Sequence, residues 1–117
     1  MRRTGKLALA TVLTGAALLA AAGPAAASAT SVTGAYAYYD PSRNNFGLQD
    51  SKADGNSVFI EYWIGGVKQS RIVNYNGNGS WRDYVVTTGE GKSLEWKVCV
   101  DISLAPDRCS GIVYDVV

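Results

Sequence analysis

Histidine is absent from all 117 residues. Without an imidazole the chain cannot build a Ser-His-Asp or Cys-His nucleophile, nor a metal centre that uses His. Methionine occurs only at Met1, and only three leucines follow Ala27, at Leu48, Leu94 and Leu104. There is no block of charge of one sign. The formal net charge of +1 is that of the whole chain. Without Arg2, Arg3 and Lys6 the eleven basic residues become eight, against ten acidic, a net of −2. Nucleic-acid binders need a basic footprint and polybasic membrane contacts need a lysine or arginine cluster; neither is present. Cysteine is limited to Cys99 and Cys109. Their spacing does not fit a C-x-x-C redox or metal pair, so neither cofactor nor metal is expected.

The beginning of the chain reads as an address. Arg2, Arg3 and Lys6 are followed by the uncharged stretch Leu7 to Ala22, then by Gly23-Pro24 and by Ala25-Ala26-Ala27. This is the order of a secretory signal peptide, residues 1–27, cut after Ala27 or, as the alternative, after Ala29. Sixteen uncharged residues fall short of the roughly twenty that span a bilayer. No basic cluster follows to hold an anchor, so no stable membrane insertion is expected after processing. Thr4-Gly5-Lys6 after the arginine pair favours the general secretory route over twin-arginine export. The mature domain, residues 28–117, is then extracellular. In that oxidising setting Cys99 and Cys109 are expected to form a disulfide, which a loop of this size makes worth about 2–3 kcal/mol.

What is abundant after Ala27 is β-forming. Sixteen Val and Ile and all twelve aromatic residues lie there, a profile of sheet. Leu94, Trp96, Val98, Val100 and Ile102 alternate with Glu95, Lys97, Cys99 and Asp101, a period of two with one apolar face. Ile112, Tyr114 and Val116 repeat it. Ser57 to Ile64 is nearly continuous in apolar residues, interrupted by Glu61, and reads as a central strand. Tyr36 to Tyr39, Phe46 to Gln49, Arg71 to Tyr75 and Trp81 to Thr88 complete a set of seven. Asp40 to Asn45, Ala53-Asp54-Gly55-Asn56, Gly65-Gly66 and Asn76-Gly77-Asn78-Gly79 are turn signals. The expected fold is all-β: one small antiparallel sandwich (immunoglobulin-like) or barrel of about seven strands, with the disulfide closing the last hairpin.

Asp50-x-x-x-Asp54-Gly55-Asn56, with Glu61 in the twelfth position, matches part of an EF-hand loop. Lys52 stands where a ligand oxygen belongs, and the segment into Glu61 reads as strand. A hairpin turn with Gly55 in the left-handed region is the reading adopted. Asn78-Gly79-Ser80 fits a glycosylation sequon and is likewise read as a turn.

The candidate binding surface lies in the aromatics and the disulfide loop. If Val58, Ile60, Tyr62 and Ile64 face the core, Phe59 and Trp63 face outward, roughly 13 Å apart at the strand rise. Tyr36 and Tyr38 share one face and Tyr39 takes the other. Exposed rings on a sheet stack on sugars or anchor protein partners. Trp96 is assigned to the core. Arg108, just before the second cysteine, is the loop's candidate for contact with a protease. No catalytic residue is assigned, because nothing fixes two carboxylates on one cleft.

Asp50-Ser51-Lys52-Ala53-Asp54-Gly55, Val98-Cys99-Val100 and Pro106-Asp107-Arg108-Cys109-Ser110 carry a resemblance across the last seventy residues or so. With the alanine-rich leader, the plan resembles a broad group of small secreted actinobacterial proteins with one β domain and a C-terminal cysteine pair. That resemblance implies fold and location more than activity. The function expected is that of a secreted, non-enzymatic binding module: an adaptor for another secreted protein in an extracellular complex, of which a secreted toxin particle is one example. The alternatives are a carbohydrate- or cell-wall-binding lectin-like domain and an inhibitor of an extracellular hydrolase.

Overall fold

The computed structural model describes residues 27–117. The segment read as a signal peptide lies outside these, apart from Ala27. Ten strands follow in order: β1 (Ser28–Val32), β2 (Ala35–Asp40), β3 (Asn45–Asp50), β4 (Val58–Ile64), β5 (Val67–Lys68), β6 (Ile72–Asn74), β7 (Trp81–Val85), β8 (Ser93–Val100), β9 (Arg108–Cys109) and β10 (Val113–Val116). One sheet has the order β1-β2-β3-β7. The other centres on β4 and β8, with β10 and β9 along the free side of β8 and β5 and β6 along the free side of β4. All pairings are antiparallel. The two sheets remain separate, so the fold is a sandwich. Its third strand stays in the first sheet, where the immunoglobulin order moves it to the second.

The alternation of β8 does what its period dictates. Leu94, Trp96, Val98 and Val100 are fully buried, and Val58, Ile60, Tyr62 and Ile64 are buried across the ladder on β4. The facing sheet supplies Ala35, Ala37 and Tyr39 from β2 and Phe46 and Leu48 from β3. The core combines small Ala35 and Ala37 on one sheet with the large Trp96 on the other, the mixture of sizes that lets facing layers interdigitate. Phe46 is the hub: its ring centroid lies 4.9 Å from Tyr39 and 5.4 Å from both Tyr62 and Trp96. Buried indole and phenol groups need partners. Trp96 Nε1 donates to Asp115 Oδ2 at 2.9 Å, and the Tyr39 hydroxyl donates to Asn44 Oδ1 at 2.9 Å.

Gly65 and Gly66 close the β4–β5 hairpin with φ of 57° and 84°. Both central residues of such a turn need positive φ, which glycine adopts without steric cost. Cys99 and Cys109 are direct partners across β8 and β9 and are joined by the disulfide. Between that pair and Val113↔Trp96 the register slips by one residue, the mark of a β-bulge. Ser110 bridges the irregularity, its Oγ accepting the Val98 amide at 3.1 Å.

Seven strands were expected, and three more are present. β5 and β9 are two residues each, and β1 is built of Ser, Ala and Thr with a final Val. The turn at Ala53 to Asn56 is not a hairpin turn. It lies between β3 of one sheet and β4 of the other, so the chain arches across the sandwich. Gly55 is left-handed there, with φ 74°. Asn76 to Gly79 carries the chain back from β6 to β7 beside it. Asn74 locks this end. Its amide donates to the carbonyls of Leu48 (3.3 Å) and Ser80 (3.1 Å), and its Oδ1 accepts the Asn76 amide and the Ser80 hydroxyl.

Candidate functional site

Each sheet has an outer face, and the two are chemically unlike. On the β4–β8 sheet, Phe59, Glu61 and Trp63 point outward, as their parity requires. Glu61 is encircled by Arg71 Nη2 at 3.0 Å, Lys68 Nζ at 3.3 Å and Lys97 Nζ at 3.6 Å. Burial pushes its carboxyl up. Hydrogen bonds from Arg71 and Lys68 and the charges of Lys68 and Lys97 outweigh that, and hold it below the usual glutamate range. The Arg71 guanidinium also lies 3.8 Å from the Phe59 ring centroid. With Arg71 over its ring and the disulfide-bonded Cys99 as its cross-strand partner, Phe59 is 1% exposed and offers no ring face to a ligand. Trp63 is half-buried, with Lys68 Nζ 5.9 Å from its ring.

The outer face of the β1-β2-β3-β7 sheet carries an aromatic cluster instead. The registers Tyr36↔Gln49↔Trp81 and Tyr38↔Gly47↔Asp83 run across three strands. Tyr36 and Tyr38 each lie 5.9 Å, centroid to centroid, from Trp81. Tyr38 reclines over Gly47, where any Cβ would collide with its ring. Trp81 is 46% exposed. Beside this cluster a shallow groove of about 210 Å³ is lined by Tyr38, Arg43, Asn45, Asp83 and Val85. Arg43 is held by Asp40 at 3.1 Å.

β7 forms the edge of this sheet and is exposed at every position. The Val86 amide donates to Asn44 O at 2.8 Å and the Asp50 amide to Ser80 O at 3.2 Å. The alternation of an antiparallel ladder then directs the backbone groups of Trp81, Asp83 and Val85 away from β3, toward the open edge. Side chains reach two of the other edges. Arg82 Nη1 donates to Val73 O of β6 at 2.7 Å, and Ser28 Oγ of β1 donates to Asp115 Oδ1 of β10 at 2.8 Å.

The remaining sequence candidates separate. Tyr39 is in the core, because its parity is opposite to that of Tyr38. Arg108 is half-buried, and its Nε donates to Thr33 O at 3.0 Å, so it clasps the disulfide strand to the β1–β2 turn. The exposed tip of that loop is Leu104, with φ 60°. Tyr36 and Tyr38 do come together, and the residue that completes their cluster, Trp81, was not singled out in the sequence. Its parity with Tyr36 through Gln49 is a signal only once the strand pairing is known. Among the described residues no group of three His, Cys, Asp or Glu is placed to hold a metal. Nor is any helix there long and apolar enough to cross a membrane. Neither the family models, nor the curated proteins, nor the solved structures give a match to this chain.

Proposed function

We propose that the chain is exported and acts outside the cell as a non-enzymatic binding module that docks an extended segment of another secreted protein along β7. One observation carries this reading: β7 is exposed at all five positions and, among the described residues, pairs with β3 alone, with the Trp81, Tyr36 and Tyr38 rings alongside. An unpaired edge supplies main-chain hydrogen bonds to an added strand, and flanking aromatic residues supply specificity. Rings that already pack on one another lose little entropy on binding and make good anchors.

Export is supported by the leader pattern and by the disulfide, a bond that persists in oxidising compartments. Cleavage after Ala27 leaves β1 whole, beginning at Ser28. Cleavage after Ala29 would remove two of its five residues and the hydrogen bond to Asp115. The first cut is therefore the one proposed, and N-terminal sequencing of the secreted protein checks it.

The test of docking is affinity capture from the native culture supernatant, with Trp81→Ala and Asp83→Pro as comparisons. Proline at 83 removes a donor that serves only the open edge. A stoichiometric protein retained by the native chain and lost with both variants is the expected result. Retention of polysaccharide and no protein would overturn the reading.

A further inference from the structure

The arched end of the sandwich holds a second feature, independent of docking along β7. A cavity of about 370 Å³ opens between the 51–57 and 75–79 segments. Asp50, Lys52, Asn56, Tyr75 and Asn78 are among its lining residues. Asp50 is 2% exposed and belongs to the same inward row of β3 as Phe46 and Leu48. Among the described residues its carboxylate accepts one hydrogen bond, from the Lys52 amide at 3.2 Å on Oδ1, and has no ion-pair partner within 4 Å.

The neighbouring buried side chain makes the contrast. Asn74 has its amide and its carbonyl oxygen fully engaged. Buried polar groups are ordinarily satisfied, and a carboxylate with two oxygens and one long contact is not. Asp50 therefore still has room for donors, and the cavity it lines is where they would come from.

The lining narrows what those donors can be. Lys52 is a cationic residue of the lining and Asp50 its single carboxylate, so a divalent cation is disfavoured. An anion is disfavoured by Asp50. A fully apolar ligand would leave Asp50 unsatisfied. A neutral polyhydroxyl compound fits: hydroxyls donate to Asp50, the Asn56 and Asn78 amides can donate and accept, and Tyr75, 78% exposed at the rim, gives a ring face. We infer that this cavity binds one pyranose unit of a neutral saccharide, with Asp50 as the hydroxyl acceptor and Tyr75 as the stacking surface.

The experiment is amide-resolved NMR of the disulfide-bonded protein with four probes: glucose, galactose, mannose and N-acetylglucosamine. At least one is expected to shift the Gly55, Asn56, Gly77 and Asn78 amides saturably. Asp50→Asn keeps an acceptor for the Lys52 amide but loses the charge. It is expected to weaken binding about tenfold or more, the worth of a charge-assisted hydrogen bond. Tyr75→Ala lies outside the core and is expected to weaken binding with thermal stability unchanged, so it decides the matter if Asp50→Asn does not fold. Trp81→Ala is expected to leave these shifts intact, which separates this site from docking along β7. The inference fails if none of the four sugars shifts these amides, if shifts are confined to the Tyr36–Tyr38–Trp81 face, or if both cavity variants bind like the native chain. It fails equally if calcium ion moves the same amides at lower concentration than any sugar.

Discussion

The two outer faces of this sandwich begin from similar material, aromatic residues on central strands, and finish with opposite surfaces. On the β4–β8 sheet the neighbouring strands bring Lys68, Arg71 and Lys97 around Glu61, and long cationic side chains lie over Phe59 and beside Trp63. On the β1-β2-β3-β7 sheet the neighbours of Tyr36 and Tyr38 are Gln49, Gly47, Trp81 and Asp83. Among the described residues no Lys or Arg makes a cation–π contact with those rings, and Gly47 lets one of them lie flat. Whether an outward ring becomes a surface is thus decided by the cross-strand neighbours. Arginine and lysine stems cover apolar area while keeping their charge in water.

The largest expected effect strips the ionic face of its covalent tie. Replacing both Cys99 and Cys109 with Ala is expected to cost about 2–3 kcal/mol, from the loss of the loop constraint on the unfolded chain. Urea denaturation measures it. Capture of a protein partner along β7 should persist below the new transition, because the disulfide lies on the other sheet. If capture fails in the folded variant, the faces are not independent.

Next is Gly47→Ala, which acts on the aromatic face alone. Its Cβ must displace the Tyr38 ring, an overpacking cost of about 1–3 kcal/mol. The near-ultraviolet circular dichroism from the Trp81 cluster should change with it. A native spectrum would show that Tyr38 does not depend on the glycine.

Glu61→Gln is expected to cost about 1–2 kcal/mol at neutral pH, a figure reduced for the solvent exposure of Lys68 and Arg71. Its pH dependence has a definite sign. The folded carboxyl titrates below its unfolded value, so its contribution is fully present above that value, about 4.3, and is lost as pH falls through the folded value. Thermal melts of the native chain should fall more steeply below about pH 4.3 than those of Glu61→Gln. Parallel curves would mean that the three cations do not hold this carboxylate.

The smallest stability effect belongs to Trp81→Ala, about 1 kcal/mol, because the ring is half exposed and loses mainly its contacts with Tyr36 and Tyr38. Its effect on partner capture should be the greatest of any single change on that face. A variant that still captures the partner would move the binding surface away from the aromatic cluster.

Much of this was legible in the chain. The period of two from Leu94 to Ile102 placed Trp96 and Val98 in a core, and the same parity set Phe59, Glu61 and Trp63 on the opposite face. Gly65-Gly66 marked its hairpin because few other residues tolerate positive φ in succession. Two cysteines and no other thiol left a single possible pairing. Parity is a local property of a pleated strand, so the sequence alone determines it. β1 is not legible in the sequence, because Ser, Ala and Thr beside an alanine-rich leader give no apolar alternation; its place comes from pairing with β2. What covers Phe59, what joins Trp81 to two tyrosines more than forty residues earlier, and why Asp50 is buried at a cavity while Asn74 is fully bonded were settled only by tertiary structure. Each depends on which strands become neighbours and in what register. That follows from the summed burial of the whole core and not from any local stretch of chain.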